Sequence, residues 1–160
     1  MTSPFLVTGT LGMVPIFFYS YLFSKAINLL NAQSSSVTNN SGGIIKSNTN
    51  TITFTQKGVS TANIVTINNS GEIYAEAVSS GNTSNNAIRS ESATDNITII
   101  NNSGGHIHNN NSANTVLRSA TVYISSASTG TLTNSGTIEN KAGTDAYVLG
   151  VAGSGVTVTL

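Results

Sequence analysis

Eight side chains in this sequence of 160 residues could do acid–base or metal chemistry: Glu72, Glu76, Glu91, Asp95, His106, His108, Glu139 and Asp145. Cysteine is absent, which excludes a thiol nucleophile, a disulfide framework and a Cys-based zinc site. A glycosidase-type reaction needs two carboxylates flanking the scissile bond. Glu72 and Glu139 fall near one another in the repeat frame described below, but two repeats apart, which is about 10 Å from stacking alone. No catalytic residue is assigned, and the chain is expected not to be an enzyme. His106 and His108 alternate, so a strand would turn both to one side, where they could hold a metal. No third ligand is evident beside them and Asn109 to Asn111 are poor donors, so they read as solvated turn residues, with no metal or cofactor expected. Serine is too abundant for nearness to a histidine to define a triad, and the glycines fall singly at turns instead of in a phosphate loop.

The elements that must position these groups come from a repeat. Four segments share one pattern: Val37-Thr-Asn-Asn-Ser-Gly-Gly-Ile44, Ile67-Asn-Asn-Ser-Gly-Glu-Ile73, Ile100-Asn-Asn-Ser-Gly-Gly-His-Ile107 and Leu132-Thr-Asn-Ser-Gly-Thr-Ile138. Aligned on Ser41, Ser70, Ser103 and Ser135, the copies are spaced by 29, 33 and 32 residues. Asn40, Asn69, Asn102 and Asn134 precede the serine, and Gly42, Gly71, Gly104 and Gly136 follow it. On this alignment Ile44, Ile73 and Ile138 correspond, and Ile107 comes one residue late. Alternating β-branched runs such as Asn63-Ile-Val-Thr-Ile67 lead into each turn, where Asn and Gly tolerate positive φ. Each period of about 31 residues holds about three short strands and three turns.

Antiparallel hairpins would give each turn its own chemistry, with no reason for one pentapeptide to recur. In a parallel solenoid, identical positions stack at about 4.8 Å, and the repetition follows. Stacked Asn side chains then form an amide ladder, with Asn40, Asn69, Asn102 and Asn134 as its rungs, and stacked Ile fills a narrow core. Proline is confined to Pro4 and Pro15, as expected where each later strand needs its N–H for a neighbour. The predicted fold is all-β: a parallel β-helix of about four coils over 33–160, preceded by an apolar segment over 1–32.

That segment differs in kind. No charged side chain occurs from Thr2 to Ser24, and Leu11 to Phe23 holds three of the five Phe and two of the five Tyr. An export signal fits the apolar run, with Leu30-Asn31-Ala32 as a cleavage point, but not the uncharged start. A membrane anchor needs roughly 20 apolar residues, which the stretch just supplies. A cap folded against the first coil is the third reading.

Composition narrows the role. Asn, Ser and Thr number 21, 23 and 22, about two fifths of the chain, while six Lys/Arg balance six Asp/Glu. A neutral chain has no electrostatic footprint for nucleic acid. Six Asn-x-Ser/Thr triplets, beginning at Asn39, Asn68, Asn82, Asn96, Asn101 and Asn110, follow from that composition. Thr-x-Thr at Thr51/Thr53/Thr55, Thr131/Thr133 and Thr157/Thr159 falls at different distances from the turn serine, so no flat threonine face is expected.

Tandem Asn-Ser-Gly-x-Ile coils, rich in Asn, Ser and Thr and free of cysteine, resemble the passenger region of autotransporter and related adhesin-type bacterial surface proteins. The resemblance covers about Ser34 to Leu160. It implies a right-handed β-helix carried outside the cell, acting as a stalk or as a weak multivalent surface for a host glycan or protein, with further coils of the same protein beyond Leu160. Membrane contact would come only through the N-terminal segment, if uncleaved. A β-helix from a carbohydrate-active enzyme with its catalytic coils elsewhere, and a phage or viral fibre, are the alternatives.

Overall fold

The computed structural model describes residues 17–18, 25–30, 34–55, 64–76, 85–90, 96–110, 120–125, 129–141, 147–152 and 155–160. These contain β1 (Phe17–Phe18), β2 (Lys25–Leu30), β3 (Ser34–Asn39), β4 (Ile44–Ser47), β5 (Asn50–Thr55), β6 (Ile64–Asn69), β7 (Glu72–Ala75) and β8 (Ile88–Ser90). They continue with β9 (Asn96–Asn101), β10 (His106–Asn109), β11 (Val122–Ile124), β12 (Thr129–Asn134), β13 (Thr137–Asn140), β14 (Leu149–Val151) and β15 (Gly155–Thr159). Every third strand belongs to the same sheet. Sheet A stacks β1-β4-β7-β10-β13, sheet B β2-β5-β8-β11-β14, and sheet C β3-β6-β9-β12-β15. All pairings are parallel.

This is the parallel β-helix that the repeat predicts. Each sheet is five strands deep, against about four coils expected. The extra layer of sheets A and B comes from β1 and β2, both inside the apolar segment 1–32; Pro4, Pro15 and Asn31-Ala32 lie outside the described residues. Among the described residues no helix is long and apolar enough to cross a membrane.

Strand alternation builds the core. In sheet C the inward column is Val37, Ile67, Ile99 and Leu132, all buried. Sheet A contributes Ile45, Ile73, Ile107 and Ile138, and sheet B contributes Ile27, Ile52, Ile88, Val122 and Leu149. Each fully buried Ile, Leu or Val is worth about 1.5–3 kcal/mol. Within each column, residues of similar size stack on one another, as a closely packed interior requires.

The turns between sheets C and A differ from the serine alignment. The in-register partner of Ile73 is Ile45, not Ile44. Copies one and three carry a long link, Asn40-Ser41-Gly42-Gly43 and Asn102-Ser103-Gly104-Gly105, whereas copies two and four have only Ser70-Gly71 and Ser135-Gly136. Each long link is closed by a backbone bond, Gly43 N to Asn40 O at 2.9 Å and Gly105 N to Asn102 O at 2.8 Å. Gly42 and Gly104 have φ of 78° and 82°, the sign that the third position of a type II turn requires. Long and short turns therefore alternate along the stack.

This alternation moves the amide ladder by one residue in alternate coils. The rungs are Asn39, Asn69, Asn101 and Asn134, each Nδ2 donating to the next Oδ1 at 2.8, 2.8 and 2.7 Å. Asn69 and Asn134 are rungs as expected. Asn40 and Asn102 are not: Asn40 is exposed, and Asn102 donates to Asn68 Oδ1 at 2.5 Å and Ser70 Oγ at 3.0 Å on the rim. Likewise the glycines at which successive turns touch are Gly43, Gly71, Gly105 and Gly136. A Cβ on Gly71 would run into the carbonyl of Gly43, and one on Gly136 into that of Gly105. Gly42 and Gly104 face open space.

Candidate functional site

Two outward surfaces carry side-chain chemistry. On sheet A, His106 and His108 occupy outward positions of β10, with β7 on one side and β13 on the other. Parallel register sets His106 beside Glu72 and Thr137, and His108 beside Tyr74 and Glu139. The contacts run diagonally. His108 Nε2 is 2.8 Å from Glu72 Oε1, and His106 Nε2 is 2.9 Å from Glu139 Oε1. His106 Nδ1 lies 3.9 Å from the same Glu72 oxygen. The two imidazoles are 4.4 Å apart, and His108 stacks on Tyr74 with centroids at 4.6 Å and ring planes nearly parallel at 8°.

His108 is buried at 2% exposure, not solvated as the sequence suggested. Burial holds its imidazole below the ordinary value of 6.5. Lys141 and His106 push the same way, while the bond to Glu72 opposes them. Among the described residues its Nδ1 has no partner, and the ring's polar engagement is through Nε2. Tyr74 is raised above its usual 10.0, chiefly by burial. At the far end, Lys46 pairs with Glu76 at 3.1 Å, a bond that raises the lysine, and its Nζ stands 5.7 Å from the Tyr74 ring centre.

The expectation that the histidines lack a third ligand is corrected: one donor atom each from Glu72, His106 and His108 falls within 4.8 Å of the others. Glu72 and Glu139 remain two strands apart, as the repeat required, and the histidines fill the gap between them. Glu91, Asp95 and Asp145 lie outside the described residues. Beside the cluster, the long turns project on either side of the short turn Ser70-Gly71. The notch they leave, about 260 Å³, is bounded by Gly43, Gly71 and Gly104 and opens onto Glu72 and His106.

The second surface is the outer face of sheet C. Its central column is Ser36, Thr66, Thr98, Thr131 and Thr157, one hydroxyl per coil in continuous register. Thr133 and Thr159 stack beside it. Of the Thr-x-Thr sets, Thr131/Thr133 and Thr157/Thr159 thus share one register, which corrects the expectation for these two. Counted from the ladder Asn instead of the turn Ser, Ser36, Thr66, Thr98 and Thr131 are equivalent. Thr51 and Thr53, by contrast, are fully buried in β5 of sheet B.

The fold and surfaces thus define a three-sheet parallel β-solenoid with one imidazole–carboxylate cluster and one hydroxyl-lined face. Compared with protein families, curated proteins and solved structures, the chain matches none.

Proposed function

We propose that this chain is a non-catalytic β-solenoid segment of a bacterial surface protein of adhesin type, with the outer face of sheet C as a weak, multivalent binding surface for glycans. The observation that carries the reading is the column Ser36–Thr66–Thr98–Thr131–Thr157. Along this column hydroxyls recur about every 4.8 Å from strand to strand, and Thr38, Thr133 and Thr159 add hydroxyls beside it on β3, β12 and β15, whereas β6 and β9 carry Asn68 and Ile100 there. Sugar hydroxyls spaced along an oligosaccharide can exchange hydrogen bonds with such an array, each bond modest on its own. Affinity on such a surface comes from repetition, since multivalent display raises avidity by about 10²–10⁴ without any new contact. The rigid stack, in which successive coils are tied by three backbone ladders and, from Asn39 to Asn134, by Asn rungs, suits a spacer that holds this face away from a cell.

Two measurements test the reading. Protease treatment of intact cells expressing the gene should release solenoid peptides, and their confinement to the cytoplasm would refute a surface location. The chain coupled to a tetrameric carrier should be retained on immobilised host-cell glycans at least about 100-fold better than the monomer. Replacing Thr66, Thr98 and Thr131 with Val should abolish that gain. Equal retention by the triple variant would overturn the assignment of the face.

A further inference from the structure

We infer that Glu72, His106 and His108 form a binding site for a divalent transition ion, Zn²⁺ foremost, with Glu139 as the carboxylate that orients His106. The inference stands on the geometry of sheet A and does not rest on the adhesin reading.

The donor set comes first. Two imidazoles and one carboxylate are the ligand types that zinc takes where it keeps one position open. Borderline nitrogen donors also favour a first-row transition ion over Mg²⁺ or Ca²⁺, which want oxygen alone. Spacing comes second. A tetrahedral site with bonds of 2.0–2.1 Å has ligand–ligand edges of about 3.3 Å. Glu72 Oε1 stands 2.8 Å from His108 Nε2 and 3.9 Å from His106 Nδ1, two edges that bracket that value. All three donor atoms lie within 4.8 Å of one another, so side-chain rotation would draw them onto one ion.

The outer shell agrees at one of the two histidines. A metal-bound imidazole almost always gives its other ring nitrogen to a carboxylate or carbonyl, which fixes the tautomer. His106 has this arrangement, whereas His108 Nδ1 is buried with no partner among the described residues. His106 Nε2 lies 2.9 Å from Glu139 Oε1, so Nε2 carries the proton and Nδ1 turns its lone pair toward Glu72 and His108. Lys141 Nζ lies 3.9 Å from the same Glu139 oxygen at the edge of the cluster. Tyr74 locks the His108 ring by stacking, so this ligand is oriented before any ion arrives. Access comes last. Glu72 and His106 line the notch left by the short turn Ser70-Gly71, which gives an ion a path from solvent and leaves its fourth position to water. Glu72 belongs to the coil before the histidines, so the ion would also bridge two turns of the solenoid.

The test is titration of the EDTA-stripped full chain with Zn²⁺ by calorimetry, and with Co²⁺ by its visible absorption. One ion per chain and a tetrahedral cobalt spectrum are expected. Outer-shell changes typically cost about 10–100-fold in metal affinity, so Glu139→Gln should weaken binding by that factor, and Glu72→Gln or His106→Gln by at least as much. His106 and Glu139 are partly exposed, so their variants should keep the far-ultraviolet circular dichroism of the parent, and His108→Gln serves as a third variant if it folds. Absence of saturable binding, or folded Glu72→Gln and His106→Gln variants that bind Zn²⁺ as the parent does, would overturn the site.

Discussion

Asn101 and Asn102 are neighbours of the same type, yet the solenoid should respond to their loss very differently. Asn101 is fully buried and makes four side-chain bonds. Its Nδ2 is 2.7 Å from Asn134 Oδ1, 3.1 Å from Thr137 O and 3.2 Å from Gly105 O, and its Oδ1 accepts from Asn69 Nδ2 at 2.8 Å. Some of these partners survive its removal. Gly105 O keeps the Thr137 amide at 2.9 Å, and Asn69 Nδ2 keeps Gly71 O at 3.0 Å. One N–H of Asn69 and the Asn134 Oδ1 lose their ladder partners. At about 1–3 kcal/mol for each stranded group, discounted for the half-buried Asn134, Asn101→Ala should cost about 2–4 kcal/mol. Asn102→Ala removes only rim bonds to Asn68 and Ser70 that water can replace, and should cost less than about 1 kcal/mol. Urea denaturation gives the two differences at constant slope. Stacked coils open locally, so hydrogen exchange adds a position-specific reading. The amides of Asn102 and Ser135, bonded to Asn69 O and Asn101 O, should exchange faster in the Asn101 variant alone. Equal costs for the two substitutions, or a larger one for Asn102, would refute the buried ladder.

The turn glycines offer a second contrast. Gly71→Ala drives a Cβ into the Gly43 and Asn40 carbonyls, a backbone clash that should lower stability by about 1–3 kcal/mol and speed amide exchange at the joined turns. Gly42→Ala meets no atom and should cost only the strain of a positive φ, about 1–2 kcal/mol; a larger loss in urea for Gly42→Ala than for Gly71→Ala would contradict the nesting of turns. His108, facing Glu72, His106, Tyr74, Glu139 and Lys141, has its folded value depressed below 6.5, so the unfolded chain binds its proton more readily. Its contribution to stability is therefore full above about pH 6.5 and is lost as the pH falls through that value toward the folded one. The Tm in EDTA should drop as the pH is lowered through about 6.5, and drop less in His108→Gln; an equal slope in both would exclude His108 as the cause.

The fold was legible because stacking demands repetition. Ile73, Ile107 and Ile138 recur beside Asn-Ser-Gly because each fills the same layer of one core, and a chain without that constraint would not preserve the pattern. The register was harder to read. Ser41 and Ser103 stand out in the sequence but are exposed, and they answer to turn geometry instead of to packing. Since Asn39-Asn40 and Asn101-Asn102 are identical pairs, residue type alone cannot say which member points inward. Strand alternation could have decided it: counting two residues on from the buried Val37, Ile67, Ile99 and Leu132 reaches Asn39, Asn69, Asn101 and Asn134. The same count brings the hydroxyl column into line. The imidazole–carboxylate cluster stayed hidden for a related reason, because the serine alignment sets Glu72 and His106 one place apart, although they are partners on adjacent strands.

Alternating turn lengths also govern how such a rod can change in length. Gly71 and Gly136 each nest against the carbonyls of the longer turn in the coil before, so a short loop always rests on a long one. A coil gained or lost singly would place long against long or short against short, and would break the nesting at that joint. Coils added or removed in pairs keep it intact. The unit that a duplication can copy without damage is then the double coil. Any feature that depends on a recessed loop between two projecting ones returns at intervals of two layers, about 10 Å, and a partner that bridges such features would read the rod in even steps.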